Sequence, residues 1–356
     1  MKNYFRSIAV ILLSLIVALL MFGCAGNEKN DELVNSVKDN EKQTEDNADK
    51  VIASDSLEGK RIAFISPANQ FDFFVYIGAE IKKVGQENGI TVDSFDAGLD
   101  VAKCSDLMTQ AVLQKYDAII VAPVDTEALV PSIKEANGAG IPVINYDSFI
   151  EGAEVYARVG SGNEDMGKTA GGHAAELLKE KYGEVRGKVI ILSYPALETM
   201  NKRIAGFKEA LKEYPDVVIE EKVVDECTAE GGQKLTDDLL IANAKNTVDI
   251  IYGSNAGVVQ GALAAVSSAG RGEIALIGID NEEGQLNALQ DGRYYKATVA
   301  QDSYSIGNEA IKAAMEAIKG NKSGDIVVPG VLVTVDNVKE YLSADQDKKA
   351  ELEPYK

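Results

Sequence analysis

One strand–helix–strand pattern occurs twice in this chain, and that repetition limits the fold more than any other feature. In the first copy, from Asp117 to Asp147, the apolar run Ala118–Ala122 is too short for a helix and rich in β-branched residues. It is expected as a buried parallel strand. Thr126–Ala139 has helical spacing and closes on Gly138 and Gly140, and a second apolar strand, Ile141–Asn145, leads to Asp147. The second copy spans Asp249–Asp280: DIIYGSN, a helix of small residues, a glycine break, then IALIGID. Two copies imply two similar lobes, each with an aspartate at the carboxyl end of a strand, the edge where open α/β sheets bind ligands.

The remaining segments extend both lobes. Strands are expected at Arg61–Ser66, Thr91–Phe95 and Tyr156–Val159, with helices before Gly89 and over Val101–Gln114. A second series follows Gly160-Ser161-Gly162: helix Met166–Tyr182, strand Lys188–Leu192, helix Met200–Glu213, strand Val217–Val224 and helix Glu230–Ala244. Strand Lys296–Ala300, helix Tyr304–Ile318 and strand Val331–Val335 complete it, and the charged segment from Ser343 is expected to fray. Alternation at this spacing predicts parallel sheets with helices on both faces. The length of 356 residues and 46% apolar content allow two cores.

The first residues stand apart from this pattern. Lys2 and Arg6 precede an apolar run, Ile8–Leu20, which ends at Met21-Phe22-Gly23-Cys24. This is the pattern of a secretory signal, with residues 1–23 removed. The four residues through Cys24 resemble the lipobox of bacterial lipoproteins, which implies a diacylglycerol on Cys24 and an anchor outside the cytoplasm. A plain signal peptide or an uncleaved anchor are the alternatives, and each also exports the folded part. Residues 24–58 are expected as a disordered tether: Glu28–Asp55 carries nine acidic and four basic residues and no aromatic. As a coil its ends would lie ~30 Å apart. Cys104 and Cys227, assigned to different lobes, are expected to be unpaired.

Several functions are disfavoured by composition and motif. A net charge of −20 gives nucleic acid no electrostatic footprint. Gly162–Thr169 fits the phosphate-loop pattern letter for letter, but Glu164 and Asp165 would face the phosphates, and Asn163 is better placed as a helix N-cap. SPANQFDFF replaces the glycine-rich turn of a dinucleotide fold. The single histidine, His173, has no partners at metal spacing and no nucleophile elbow to serve, so no enzyme, metal or cofactor is expected.

Polar and aromatic residues do converge at strand and helix ends. Asp147 and Asp280 end equivalent strands, Asn255 ends the first strand of the second copy, Gln301 follows Lys296–Ala300, and Arg203 lies in the first turns of a helix. Together they can donate and accept several hydrogen bonds to one small molecule. Phe71, Phe73 and Phe74 are either the core face of a helix or a surface that stacks on the apolar face of a sugar ring.

These residues carry a resemblance to the periplasmic sugar-binding proteins of ABC importers, of the ribose-binding type. It runs from about Arg61 to Val335, through IAFISPANQFDFF, APVDTEAL, GIPVINYDS, Arg203-x-x-Gly206-Phe207, GSN with GALAAV, IGIDN and KATVAQDSYSIG. The resemblance implies an α/β type I periplasmic binding protein fold: two Rossmann-like lobes joined by crossings near Ser161–Gly162, Gln301–Ser303 and Pro329–Leu332. The lobes would be residues 59–161 with 303–330, and 162–302 with 331–345, leaving 346–356 as a tail. It further implies stacking by Phe73 and Phe74 and hydrogen bonding by Asp147, Arg203, Asn255, Asp280 and the hinge Gln301. Ala122 stands where ribose binders carry Asn, Ser148 where they carry Arg, and Cys227 aligns with their second-lobe aromatic. The loop residues Asn69, Gln70, Phe71 and Asp72 are also rearranged. These departures imply a roomier, less basic site suited to a hexose, a polyol or a furanosyl signal. The implied role is a monomeric receptor that presents a sugar to a membrane permease. A sensor feeding a membrane kinase or chemoreceptor would have the same ectodomain. A repressor of this fold would instead carry a helix-turn-helix where this chain has its leader.

Overall fold

The computed structural model describes residues 56–321 and 324–356. The leader, Cys24 and the tether up to residue 55 lie outside the described residues. Within the segment expected as tether, Leu57 packs on the first core, and the Gly59 N–H donates to the Gly89 carbonyl at 3.0 Å.

Among the described residues, twelve strands form two sheets. In the first, β1 (Arg61–Ser66), β2 (Thr91–Asp96), β3 (Ala118–Val121), β4 (Val143–Tyr146), β5 (Ala157–Ser161) and β11 (Ile326–Val328) lie in the order β11-β5-β4-β3-β1-β2. The second holds β6 (Gly187–Ser193), β7 (Val217–Val223), β8 (Ile250–Gly253), β9 (Ala275–Ile279), β10 (Tyr295–Ala300) and β12 (Val331–Thr334). Its order, β12-β10-β9-β8-β6-β7, is that of the first, strand for strand. All neighbours are parallel except β10 and β12, where Ala300 faces Val331.

Helices cover both faces of each sheet. The first lobe carries α1 (Asp72–Glu87), α2 (Val101–Leu113), α3 (Val130–Gly138) and α9 (Ser303–Ile318). The second carries α4 (Asn163–Tyr182), α5 (Glu198–Leu211), α6 (Ala229–Ala242), α7 (Ala256–Ser268) and α8 (Glu283–Asp291). Each sheet is sandwiched between two apolar clusters, which is why its central strands are near-continuous Ile, Val, Ala and Leu.

Where boundaries differ from the sequence reading, backbone chemistry explains it. The helix expected from Thr126 starts at Val130, because Pro131 has no N–H and fits only the first turn; residues 125–128 form a turn capped by Asp125 instead. The strand expected from Ile141 starts at Val143, because the Ile141 N–H closes α3 on the Ala136 carbonyl and Pro142 has none to give. Besides the C-terminal helix described below, two elements, α8 and β11, have no counterpart in the sequence reading.

The chain crosses between lobes at Ser161–Gly162, at Gln301–Asp302 and at Pro329–Gly330, between β11 and β12. The crossings touch: Gly162 N–H donates to the Val328 carbonyl at 3.0 Å, and the Ser161 hydroxyl donates to Gln301 Oε1 at 2.8 Å.

The charged C-terminal segment is not frayed. Helix α10 (Val338–Leu352) and a 3₁₀ turn over Glu353–Tyr355 run through it. Val338, Tyr341 and Leu342 pack on the second core, while Leu352 is fully buried against Tyr76 and Ala79 of the first lobe. Its charges have partners on the first lobe: Lys348 on Glu80 at 3.1 Å, Glu351 on Lys83 at 3.1 Å, and Asp345 accepting from the Tyr304 hydroxyl at 2.6 Å. Composition suggested a solvated tail, whereas those pairs come from residues far away in sequence.

Candidate functional site

In each sheet the chain leaves one strand, adds an outer neighbour, and returns on the other side of the first. The returns fall between β1 and β3 and between β6 and β8. Their carboxyl ends are the topological switch points at which ligands of open α/β sheets bind.

The two aspartates of the repeated unit have the same backbone. Asp147 and Asp280 each follow the fourth strand of their sheet, with φ of 63° and 77°. The N–H of each donates to a carbonyl of the next strand, Asp147 to Val159 at 2.9 Å and Asp280 to Val299 at 3.0 Å. A left-handed turn is costly for a residue other than glycine, though less so for aspartate, whose short polar side chain tolerates it. The same turn in both lobes aims each carboxylate off the end of its strand.

Their side chains are wired differently. Asp280 accepts from the Ala256 N–H at 3.0 Å and from Gln301 Nε2 at 2.8 Å, and Arg203 Nη1 lies 3.7 Å from its Oδ1. Asp147 accepts from its neighbour, the Ser148 hydroxyl, at 3.1 Å. Burial raises the Asp147 carboxyl above its ordinary range, opposed by Ser148 and by the charge of Arg203, while the Asp280 charge raises it further. Arg203 and Asp280 belong to the second lobe, so charges of that lobe act on the Asp147 carboxyl of the first.

Arg203 is 6% exposed on α5. Its Nε donates to Asn163 Oδ1 at 2.8 Å and its Nη1 to the Ser254 carbonyl at 3.1 Å, leaving further N–H groups to give. The helix is held there by glycines. A Cβ at Gly167 would meet the Arg203 carbonyl oxygen at 1.9 Å, and one at Gly206 would meet that of Glu164 at 1.9 Å. Backbone thus packs on backbone between α4 and α5, which brings Arg203 to the start of α4.

Asn255 caps α7, its Oδ1 accepting from the Val258 N–H at 3.1 Å, and its amide nitrogen lies 3.2 Å from Cys227 Sγ. Burial pushes the Cys227 thiol up, so it presents a neutral sulfur. Among the described residues both Cys104 and Cys227 are free.

The first lobe contributes an aromatic run. Phe73 and Phe74 meet edge to face at 5.1 Å and pack on the first core, and Phe74 meets Tyr146, the residue before Asp147, at 6.3 Å. Phe71, at 47% exposed, touches Phe74 at 6.4 Å and precedes the first turn of α1. Asn69, Gln70 and Asp72 are exposed beside it, and the Asn69 N–H is tied to Asp96 at 3.1 Å.

Asn163 and Ser161 were missed as site residues. Asn163 was expected to cap α4, but Gly162 takes that position and the Asn163 side chain turns to Arg203 instead. The false phosphate-loop pattern forms the first turns of α4, with Lys168 paired to Glu164 at 2.9 Å. No group of side chains among the described residues could hold a metal ion, and none of their helices is long and apolar enough to cross a membrane.

The chain is similar to known binding proteins over most of its length. It is 28% identical over 250 residues to the ribose import binding protein of Bacillus subtilis, covering 70% of this chain and 79% of that one. A solved structure from Bacillus halodurans, an ABC transporter solute-binding protein with bound myo-inositol, superposes with a TM-score of 0.68 at 26% identity, covering 80% of this chain and 98% of the other. A ribose ABC transporter structure from Conexibacter woesei shares the fold with a TM-score of 0.75 at 24% identity, over 82% of this chain and 98% of that one. The family model described as a periplasmic binding protein domain matches residues 62–322. With paired lobes, matching switch points and a family model that covers most of its length, this chain belongs to the periplasmic binding protein domain family, whose members bind solutes and are not enzymes.

Proposed function

We propose that this protein is the solute-binding component of an ABC importer and captures a monosaccharide or similar small polyhydroxyl molecule between its lobes. The observation that carries this is that the Asp147 carboxyl of one lobe lies within electrostatic reach of Arg203 and Asp280 of the other, and that Asp280 is tied to the hinge through Gln301. Carboxylates, a guanidinium and amides can engage several hydroxyls at once, and the Phe73–Phe74 pair offers a face for ring carbons. The relatives named for ribose and myo-inositol carry such ligands, one a pentose and one a cyclic polyol. Ala122 and Ser148 stand where the ribose-binding type carries Asn and Arg, and these smaller, uncharged residues suit a hexose, a polyol or a furanosyl signal.

Binding and closure are one process. Only the closed arrangement places groups of both lobes on one ligand, so ligand shifts the population toward it. A micromolar affinity corresponds to about −8 kcal/mol, within reach of a few charge-assisted hydrogen bonds and one stacked face. The closed form then presents its cargo to a membrane permease. Family membership places the folded part outside the cytoplasm. Lipidation of Cys24, proposed from the sequence that precedes it, would tether it to the membrane.

A thermal-shift screen against pentoses, hexoses, inositols, linear polyols and furanosyl signals tests the proposal. At a hundredfold excess over Kd, a true ligand adds about 2.7 kcal/mol and raises Tm by several degrees. A screen in which none of these shifts Tm while amino acids do would reject the polyhydroxyl class.

A further inference from the structure

We propose that Asn163 is a positioning residue for this site: it does not touch the ligand, and it governs affinity by fixing the Arg203 guanidinium from the hinge. The proposal rests on the solute-binding function above for its effect on affinity, but not for its geometry.

Five residues close a ring. Arg203 Nε donates to Asn163 Oδ1 at 2.8 Å, and Asn163 Nδ2 faces the Ser161 carbonyl at 3.3 Å. The Ser161 hydroxyl donates to Gln301 Oε1 at 2.8 Å, Gln301 Nε2 donates to Asp280 Oδ1 at 2.8 Å, and Arg203 Nη1 returns to that oxygen at 3.7 Å. The ring holds the groups assigned to the ligand, Arg203, Asp280 and Gln301, together with Ser161 and Asn163. Ser161 and Gln301 lie at the first and second crossings between lobes.

The chemistry of each contact fixes the role of Asn163. An arginine Nε–H can only donate, so the amide oxygen must face it, and the nitrogen is left toward a carbonyl, where it is also satisfied. Both ends of the amide are used, and neither caps the helix, whose N-cap is Gly162. The partner is a long side chain with large rotamer freedom, which a fixed acceptor at Nε removes before ligand arrives. Oδ1 holds the Nε edge, while Nη1 donates to the Ser254 carbonyl at 3.1 Å and lies 3.7 Å from Asp280 Oδ1.

Two readouts test this, one free of ligand. In protein labelled with 15N at arginine Nε, the Arg203 signal, assigned by its loss in Arg203→Lys, is expected to be sharp and slow to exchange with water. Asn163→Leu should broaden or lose it, whereas Asn163→Asp, which keeps an acceptor, should retain it. In calorimetry with D-ribose and myo-inositol as probes, Asn163→Leu should weaken binding about tenfold, the value of one charged hydrogen bond, and Asn163→Asp by less than about threefold. In an Arg203→Lys background, Asn163→Leu should add nothing. An unchanged Nε signal in Asn163→Leu, or the same tenfold loss without Arg203, would overturn the proposal. So would equal loss of folding in Asn163→Leu and the milder Asn163→Ser, which would make the role structural. If wild-type protein binds neither probe, the sugar assignment is what fails, and the Nε signal still decides the role of Asn163.

Discussion

In the second lobe Asp280 accepts from a helix N-terminal N–H and a hinge glutamine and lies beside an arginine; in the first lobe Asp147, on the same left-handed turn, accepts from the adjacent Ser148. The repeat gives both carboxylates one address, and tertiary wiring gives them different work. In the proposed site the second lobe would hold its half ready-made, because Asp280 is tied to the hinge through Gln301 and Ser161. In that proposed site the first lobe offers a half-buried carboxylate with acceptor capacity left for the donors of a ligand. Preorganisation on one side lowers the ordering cost of binding, while the other side supplies the interaction that forms only on closure.

Removing the wired carboxylate should have the largest effect. Asp280→Ala leaves the Ala256 N–H and the Gln301 amide without an acceptor and Arg203 without its nearby counter-charge. Chemical denaturation of the ligand-free protein should show a loss of about 2–4 kcal/mol, along with loss of ligand binding. Unchanged stability in this variant would erase the proposed difference between the lobes.

A smaller effect of opposite sign is expected at the other aspartate. Burial raises the Asp147 carboxyl, so the folded chain keeps its proton at a pH where the unfolded chain has lost it. Its favourable contribution is therefore full below the ordinary carboxylate range and is lost as pH rises through the folded-state value. Asp147→Asn should raise the Tm of the ligand-free protein by about 2 °C at pH 7, and the gain should shrink toward zero near pH 4. A lower Tm at pH 7 would mean that Asp147 is as firmly wired as Asp280.

How much of this the sequence disclosed depends on the range of the interactions. The repeated unit, both strand-end aspartates and the passage at Ser161–Gly162 were legible because apolar strands, small-residue helices and strand-end polar groups are local patterns, whereas the crossing near Gln301 followed only from the family resemblance. β11 is three residues long and has no periodicity to find. The α8 helix opens on a capping box, Glu282 with Gln285, that uses glutamate in place of the usual hydroxyl residue. The α10 helix looked like a solvated tail because Glu80, Lys83 and Tyr304, which hold its charges, lie far earlier in the chain. Asn163 had a plausible local duty as a cap, and only the glycine-mediated approach of α5 brings it Arg203, forty residues on.

Calorimetric titration of the tightest polyhydroxyl ligand into wild-type protein and Asp147→Ala, with Tm recorded for both without ligand, tests the division of labour most directly. The wired and unwired lobes together predict micromolar binding to the wild type, a loss of about a hundredfold or more in Asp147→Ala, and an unchanged or higher Tm. Equal affinity in the two proteins, or a variant that fails to fold, would contradict it.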